Sequence, residues 1–290
     1  MNQEFVEKSE WRPLRVADKG RQREARLQAH HAVQWLARVA RAYIPPQPDD
    51  GHTSLIWDSS LDAFVTQSGK SGVRLSLGLK DLTLTLFVGD GATGVQSLSL
   101  NDRSDSEARQ WLGGHLSKSN LDPRALDGRL LYEIPSHALQ QGNPYDSVGS
   151  ANYLAELAAW FANSSLSLNL VRSQISGHKL VASPVRCWPH HFDLATLTTL
   201  PMRNSVTPGY VGVGLSPGDN YYDEPYFYVS VYPKPDPSML PTLPLLGYWH
   251  THEFTAAVAP AHKILAAKDQ KIETDKFLQF SVEAAFSLVI

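Results

Sequence analysis

The hydrophobic residues follow the order of helical period, strand period and helical period twice along the chain. A helical pattern without Gly or Pro covers 21–43 and ends before Pro45. From 53 to 100 the period changes to two, as in the run Val73, Leu75, Leu77 and Leu79, and turn residues separate such runs, which predicts an antiparallel meander. Ser104 and Glu107 have the spacing of a capping box and predict the start of a further helix.

The same order follows in the second part of the chain. A long helical pattern begins near Val148 and extends past Leu168. Strands are predicted at 185–200, 209–215 and 225–232. A last helix is predicted over 254–265, where Pro260 either kinks the helix or marks its first residue. The tail, 277–290, suits a buried strand or a packed helix.

These patterns predict an α+β fold, in which antiparallel sheets pack against long helices. We expect an N-terminal half at 1–120, a connecting segment at 121–147 that includes a brief extended piece near 130–134, and a C-terminal half at 148–290. Trp57 and Asp62 lie opposite Trp188 and Asp193 when the halves are aligned. Two pseudo-repeats of a helix-sheet-helix unit are therefore one interpretation, with chance similarity as the other.

Composition narrows the class of protein. Hydrophobic residues make up 42% of the 290 residues and charged residues 19%, which is typical of a globular protein. The net charge of -3 gives no reason to expect nucleic acid as a partner. The basic residues between Arg12 and Arg41 alternate with apolar ones, so we interpret them as the solvent face of a helix.

Cysteine content and apolar segments indicate the cellular compartment in which we expect the protein. Cys187 is the single cysteine, so an intramolecular disulfide is impossible and a reducing compartment fits. The first ten residues lack the apolar segment of a secretory signal, and no apolar run has the length of a membrane helix. We therefore expect a cytoplasmic protein that does not bind a membrane. The sequence does not determine its oligomeric state, and a homo-oligomer is one possibility.

Two short histidine-rich segments contain the candidate functional residues. Trp188-Pro189-His190-His191-Phe192-Asp193 precedes Trp249-His250-Thr251-His252-Glu253 by about sixty residues. In extended chain, His191 and Asp193 share a face, as do His250 and His252. If the two segments converge, three imidazoles and a carboxylate would meet.

That set suits a divalent zinc, iron, manganese or nickel ion. The candidate metal ligands are His190, His191, His250 and His252, and the candidate catalytic residues are His191, Asp193 and Glu253. A His/carboxylate site without metal or other cofactor, and purely structural histidines, are the alternatives. Helical His-Glu-x-x-His spacing is absent.

Aromatic residues flank these segments and predict a small-molecule pocket. The candidate substrate-binding residues are Trp188, Tyr226, Tyr228 and Trp249. Gly209, Gly212 and Gly214 lack the spacing and the following helix of a dinucleotide-binding loop. We expect these glycines to let a bulky residue such as Trp188 or Trp249 approach the backbone.

Several segments together resemble a family of bacterial proteins known as a domain of unknown function. The resemblance rests on Trp188-Pro189-His190-His191-Phe192-Asp193-Leu194-Ala195, Ser216-Pro217-Gly218-Asp219 and Glu224-Pro225-Tyr226-Phe227-Tyr228. It covers nearly the whole chain and is strongest over 183–232. It implies no activity, cofactor or catalytic residue.

The sequence therefore predicts an enzyme whose His/carboxylate site, with or without a metal, acts on a small molecule. The alternative is a binding protein without catalytic activity, whose pocket is lined by the same aromatic residues. A structural or subunit-interaction protein is a third hypothesis.

Overall fold

The structure is a computed structural model, and it describes residues 10–16, 18–69, 72–89, 95–177, 180–201, 208–244 and 246–289. Within these residues, eleven strands form one antiparallel sheet. The strands are β1 (Leu55–Asp58), β2 (Ala63–Thr66), β3 (Arg74–Gly78), β4 (Thr83–Phe87), β5 (Gln96–Ser99), β6 (Arg186–Trp188), β7 (Asp193–Leu200), β8 (Gly209–Ser216), β9 (Tyr226–Tyr232), β10 (Tyr248–His250) and β11 (Ala256–Pro260). Their order across the sheet is β10-β11-β9-β8-β7-β6-β1-β2-β3-β4-β5.

Five α-helices accompany the sheet in the described residues. They are α1 (Lys19–Tyr43), α2 (Asp105–Lys118), α3 (Ala151–Gly177), α4 (Ala261–Leu265) and α5 (Gln270–Val289). Asp18 accepts from the backbone N–H of Arg21 at the start of α1. The predicted capping box is present at α2, where Ser104 and Glu107 bond each other's backbone N–H. These contacts fix where two of the helices begin.

The main hydrophobic core lies on one face of the sheet. Alternate strand residues such as Phe64, Leu75 and Phe227 join the same core as Leu36 of α1 and Phe161 of α3. The intervening residues point to the opposite face, where Ile56 is 37% exposed and Leu197 is 46% exposed. An α+β fold with an antiparallel sheet is therefore confirmed.

A smaller cluster lies on the opposite face, at the β9–β11 end. Tyr226, Ala256 and Val258 are buried there, and Tyr222 and Phe254 pack against them. This cluster covers the β9–β11 end of the sheet face that does not pack against the main core. It includes Tyr226, one of the predicted substrate-binding residues.

Strands β1 and β6 lie side by side at the middle of the sheet, and each half of the chain extends outward from them. The β1–β2 and β6–β7 turns each contain four residues, and the last of these, Asp62 and Phe192, has a positive φ of 49° and 59°. These turns place Asp58, and not Trp57, at the position of Trp188. The alignment of the two tryptophans is therefore shifted by one residue.

The helix predicted over 254–265 begins at Ala261, in agreement with the alternative in which Pro260 marks its start, and the prediction of helix was wrong for the residues before it. Ala256–Pro260 is strand β11, which pairs with β9 and β10, and only Ala261–Leu265 is helical. All five residues of β11 are small or apolar and buried on both faces, so their sequence carries no period that separates strand from helix. The tail is helical, as α5.

The segment 121–147 contains short 3-10 turns at Pro123–Asp127 and Ala138–Gln141, and the extended piece expected near 130–134 is not a strand. The sheet runs without interruption from β6 to β1, across both halves. The division into two halves stays a prediction. Within the described part of the chain, no helix combines the length and apolarity that crossing a membrane requires.

Candidate functional site

The turn between β6 and β7 carries His190 and His191. Their ring centroids are 4.2 Å apart, and the rings of Trp188 and Tyr132 lie 6.1 and 5.6 Å from that of His190. Neither imidazole forms a hydrogen bond with any described residue. Both rings therefore keep free nitrogen atoms to offer to a ligand.

Helix α1 fixes the position of this turn. Nε2 of His30 lies 2.9 Å from the carbonyl oxygen of Pro189, and Nε2 of Gln34 donates to the same oxygen at 2.9 Å. The ring of His30 also stacks on Phe192, with centroids 5.2 Å apart. These two contacts to Pro189 and the stacking on Phe192, all made by α1, hold the turn that carries His190 and His191 in place.

The same helix holds the loop between β8 and β9. Arg26 donates from Nη1 to the carbonyl oxygen of Pro217 at 3.3 Å and from Nη2 to Oδ1 of Asp223 at 3.0 Å. Gly218 beneath it has a φ of +113°, and a Cβ there would lie 1.8 Å from Nη1 of Arg26. Arg26 is only 7% exposed, so the interpretation of the basic residues as a solvent face was wrong at this position.

These elements enclose a polar cleft of about 640 Å³. The cleft is lined by Arg23, Arg26, Leu27, His30, Glu133, Ile134, Pro135, Ser136, His190, His191, Gly218, Asp219, Asn220 and Asp223. Arg26 and Arg23 both approach Asp223, at 3.0 and 3.9 Å. Neither Asp219 nor Glu133 forms an ion pair within the described residues, so the cleft has more carboxylate charge than guanidinium charge.

Burial keeps two of the imidazoles in the cleft uncharged. Loss of hydration lowers the pKa of His30 from its usual 6.5 to about 4, and it lowers the pKa of His190 to about 4 as well. Near pH 7 each ring therefore has one donor nitrogen and one acceptor nitrogen.

Asp193 lies just beyond the turn, on β7. Its Oδ2 accepts from the hydroxyl of Tyr228 at 2.5 Å, while its buried Oδ1 has no hydrogen-bond partner in the described residues. Burial raises the pKa of this carboxyl group, although the Tyr228 bond and the charge of His191 oppose the shift. Asp193 is therefore a desolvated acid beside the histidine turn.

The glycines of β8 make room for this pair. A Cβ on Gly214 would lie 2.5 Å from the Tyr228 hydroxyl oxygen, and one on Gly212 would lie 2.6 Å from Oγ of Ser230. The expectation that Trp188 or Trp249 approaches these glycines was wrong. Their cross-strand neighbours on β9 do so instead.

Tyr226 and Tyr228, predicted to bind substrate, both bond aspartates of the protein. The Tyr226 hydroxyl donates to Oδ2 of Asp219 at 2.5 Å, as Tyr228 does to Asp193. Burial raises the pKa of both tyrosines well above 10. Asp219 also accepts from the backbone N–H groups of Tyr221 and Tyr222, which shapes the loop over the cleft.

The second histidine segment lies elsewhere on the sheet. Nδ1 of His250 is 2.8 Å from the Tyr222 hydroxyl, and Nε2 is 2.6 Å from the carbonyl oxygen of His252. Both ring nitrogens are therefore engaged by the protein. The Trp249 indole donates to Pro241 at 2.7 Å, and Glu253 accepts from Tyr221.

The sheet order explains why the two histidine pairs do not meet. Four strands separate β6 from β10, which at about 4.8 Å per strand corresponds to ~24 Å. His250, His252, Glu253 and Trp249 are not among the residues that line the cleft. The predicted convergence of the pairs is therefore not found. No group of three His, Cys, Asp or Glu side chains in the described ranges is arranged to hold a metal ion, so the divalent-metal prediction gains no support.

Sequence reasoning missed Arg26, His30 and Gln34, which build the cleft. They lie four residues apart on α1 and so share one helix face. Polar residues that recur every four positions, on the helix face that also carries the buried apolar residues, were the available signal. Asp219 entered the sequence analysis only as the last residue of Ser216-Pro217-Gly218-Asp219, without a predicted role.

Comparison with protein-family models, curated proteins and solved structures finds no match for this chain. The resemblance to a bacterial domain of unknown function stays a prediction.

Proposed function

We propose that this protein binds a small polar molecule in the cleft between α1 and the β6–β7 turn. One observation carries the proposal: His190 and His191 face the cleft with ring nitrogens that no described residue engages. A cleft of about 640 Å³ is within the range that small-ligand sites occupy.

The charge of the lining defines the class of ligand. His190 is neutral at pH 7 and offers one donor and one acceptor. Asp219 and Glu133 contribute negative charge that no described cation neutralises at close range. The cleft therefore favours a ligand that is neutral or singly positive and rich in hydroxyl or amino groups over an anion of the same size.

Three hexose derivatives of similar size test this proposal by calorimetry: glucosamine, glucose and gluconate. We expect glucosamine to bind at least as tightly as glucose, and gluconate to bind most weakly. The double variant His190→Ala/His191→Ala should lose most of the binding. His252→Ala is the matched control because His252 is exposed and does not line the cleft.

Tightest binding of gluconate would contradict the proposed charge preference. Equal binding by the double variant and the wild type, or no binding of any of the three at millimolar concentration, would contradict the proposed site.

A second candidate is an enzyme that transfers a proton in the same cleft. The state of Asp193 favours this second candidate. Its buried Oδ1 has no hydrogen-bond partner among the described residues, and its raised pKa allows the carboxyl group to exchange a proton nearer to neutral pH. His191 would contact the ligand, and Asp193, which does not itself line the cleft, would act through its electrostatic interaction with His191. Turnover of a bound ligand should then fall steeply in Asp193→Asn while the ligand still binds, and unchanged turnover would contradict this candidate.

We further infer that the chain arose by duplication of a helix-sheet-helix unit. The placement of β1 beside β6 and the matched four-residue turns support this. A cytoplasmic location is proposed from the single cysteine, Cys187, which is buried as a free thiol.

A further inference from the structure

We propose that a second cavity, between α1, α2 and the segment 126–140, binds a free α-amino acid in its zwitterionic form. We call it the α1–α2 cavity. Its volume is about 740 Å³, which is within the range of small-ligand sites. Glu133, Ile134 and Ser136 line both this cavity and the histidine cleft, but neither His190 nor His191 lines the α1–α2 cavity.

The indole of Trp35, on the α1 wall of this cavity, contacts two groups of opposite charge. Its Nε1 donates to Oδ1 of Asp105 at 3.0 Å, and the guanidinium carbon of Arg38 lies 5.8 Å from the centroid of its ring. Asp105 and Arg38 both line the cavity, and they do not form an ion pair with each other. A carboxylate and a guanidinium group next to one aromatic ring are complementary to a ligand that carries both an ammonium and a carboxylate group.

Both charged groups are held in place by the protein and keep atoms for a ligand. Oδ1 of Asp105 accepts from the Tyr145 hydroxyl, at 2.8 Å, as well as from the indole, whereas Oδ2 accepts no hydrogen bond from any described residue. Nη1 of Arg38 donates to the carbonyl oxygens of Leu126 and Gly128, both at 3.1 Å. The other two guanidinium nitrogens of Arg38 donate to no described residue, so they can donate to a carboxylate.

The charges that line the cavity balance each other in number. Arg109 bonds both carboxylate oxygens of Asp127, at 2.7 and 2.8 Å, so these two side chains neutralise each other. Four further charged side chains line the cavity and form no ion pair within the described residues: Arg38, Arg129, Asp105 and Glu133. Two positive and two negative groups favour a ligand that carries both signs of charge over an anion or a cation of the same size.

Uncharged groups complete the lining of the cavity. Burial lowers the pKa of His31, although the hydrogen bond to the Pro135 carbonyl oxygen opposes the shift, so the ring is neutral near pH 7 and adds no positive charge. Leu126, Leu130 and Ile134 give the cavity apolar surface beside the charged groups. An α-amino acid with an apolar side chain combines the two charges with the hydrocarbon that such a surface favours.

Three ligands with the same phenylethyl skeleton test the proposal by calorimetry on the wild-type chain. They are L-phenylalanine, 2-phenylethylamine, which lacks the carboxylate, and 3-phenylpropionate, which lacks the ammonium group. We expect phenylalanine to bind at least ten-fold more tightly than either analogue, because it alone bonds both charged groups of the cavity. Equal affinities for the three ligands, or no binding of phenylalanine at millimolar concentration, would overturn the proposal.

Two substitutions assign the two charges of the ligand to their partners. Arg38→Gln should weaken the binding of phenylalanine at least five-fold without weakening that of 2-phenylethylamine. Asp105→Asn should weaken the binding of phenylalanine to the same extent without weakening that of 3-phenylpropionate, and asparagine keeps an acceptor for the Trp35 indole. Arg124→Gln is the matched control, because Arg124 is 86% exposed and does not line the cavity. Unchanged phenylalanine binding in either cavity variant would overturn the proposal.

A variant of the histidine cleft separates this site from the one proposed there. His191 lines the cleft and not the α1–α2 cavity, so His191→Ala should bind phenylalanine as tightly as the wild type does. Loss of phenylalanine binding in this variant would place the amino acid in the cleft and overturn the proposal. The comparison of the three ligands needs no variant, so it decides the proposal even where a substituted chain does not fold.

Discussion

The hydroxyl of Tyr228 donates to Oδ2 of Asp193 at 2.5 Å, and it reaches that atom across the Cα of Gly214. The contact spans from β9 to β7 over the intervening strand β8. It keeps one oxygen of a buried acid satisfied and leaves the other unpartnered among the described residues. The missing side chain at Gly214 makes this bond possible.

Gly214→Ala should therefore destabilise the protein by about 1–3 kcal/mol, the usual cost of forcing an extra methyl group into a packed site. The new Cβ would lie 2.5 Å from the Tyr228 hydroxyl oxygen, so the ring must move and the bond to Asp193 must break. Urea denaturation measures the change in the free energy of unfolding. Gly114→Ala is the control.

Gly114 is exposed within α2, and a Cβ added to it would have no described atom within 4 Å apart from its own helix backbone and chain neighbours. Alanine there should stabilise by roughly 0.5–1 kcal/mol, because it lowers the entropy of the unfolded chain. Equal effects of the two substitutions would contradict the role assigned to Gly214.

Asp193→Asn should raise the free energy of unfolding at pH 7. The folded-state pKa of Asp193 is raised by burial, so the folded protein binds its proton more tightly than the unfolded chain. The contribution of Asp193 to the free energy of unfolding is complete below the pKa that this group has in the unfolded chain. It is lost as the pH rises through the higher pKa of the folded protein. An amide does not ionise and avoids that loss.

Tyr228→Phe should have the opposite effect, because it removes the side-chain hydrogen bond that favours the ionised form. Thermal unfolding between pH 4 and 8 measures both variants. A lower melting temperature for Asp193→Asn at pH 7 would contradict the assignment of a buried, costly carboxylate.

His30 should make the protein sensitive to acid. Its pKa falls from 6.5 in the unfolded chain to about 4 in the folded protein, chiefly through loss of hydration. Between these values the unfolded chain takes up a proton that the folded protein does not, so stability is complete above 6.5 and is lost as pH falls toward 4. The full loss is about 3 kcal/mol, at ~1.4 kcal/mol for each pH unit.

His30→Gln tests this expectation, because glutamine retains a donor for the Pro189 carbonyl without titrating. The variant should show a smaller slope of unfolding free energy against pH between 4 and 6.5. A slope equal to that of the wild type would show that His30 titrates alike in both states.

Local features were predictable where neighbouring residues determine them. The helical period over 21–43 and the Ser104–Glu107 capping box appear in the structure as α1 and α2. Strand β11 was not predictable in this way, because Ala256–Pro260 is apolar throughout and is strand only through its pairing with β9 and β10.

The site depends on contacts between distant segments, which no local sequence pattern reveals. His190 and His250 occur in similar short segments, yet the order of strands puts them on opposite parts of one half of the sheet. Strand order follows from pairing between distant segments, which no local pattern specifies. His30 joins His190 because α1 crosses behind the turn, and that packing is also a property of the whole fold.

A ligand that contacts the His190–His191 pair should change the NMR signals of these two rings in a ¹³C-labelled protein. On titration with glucosamine, we expect the Cε1–H resonances of His190 and His191 to shift while those of His250 and His252 stay in place. Shifts confined to His250 and His252, or four unmoved resonances, would contradict it.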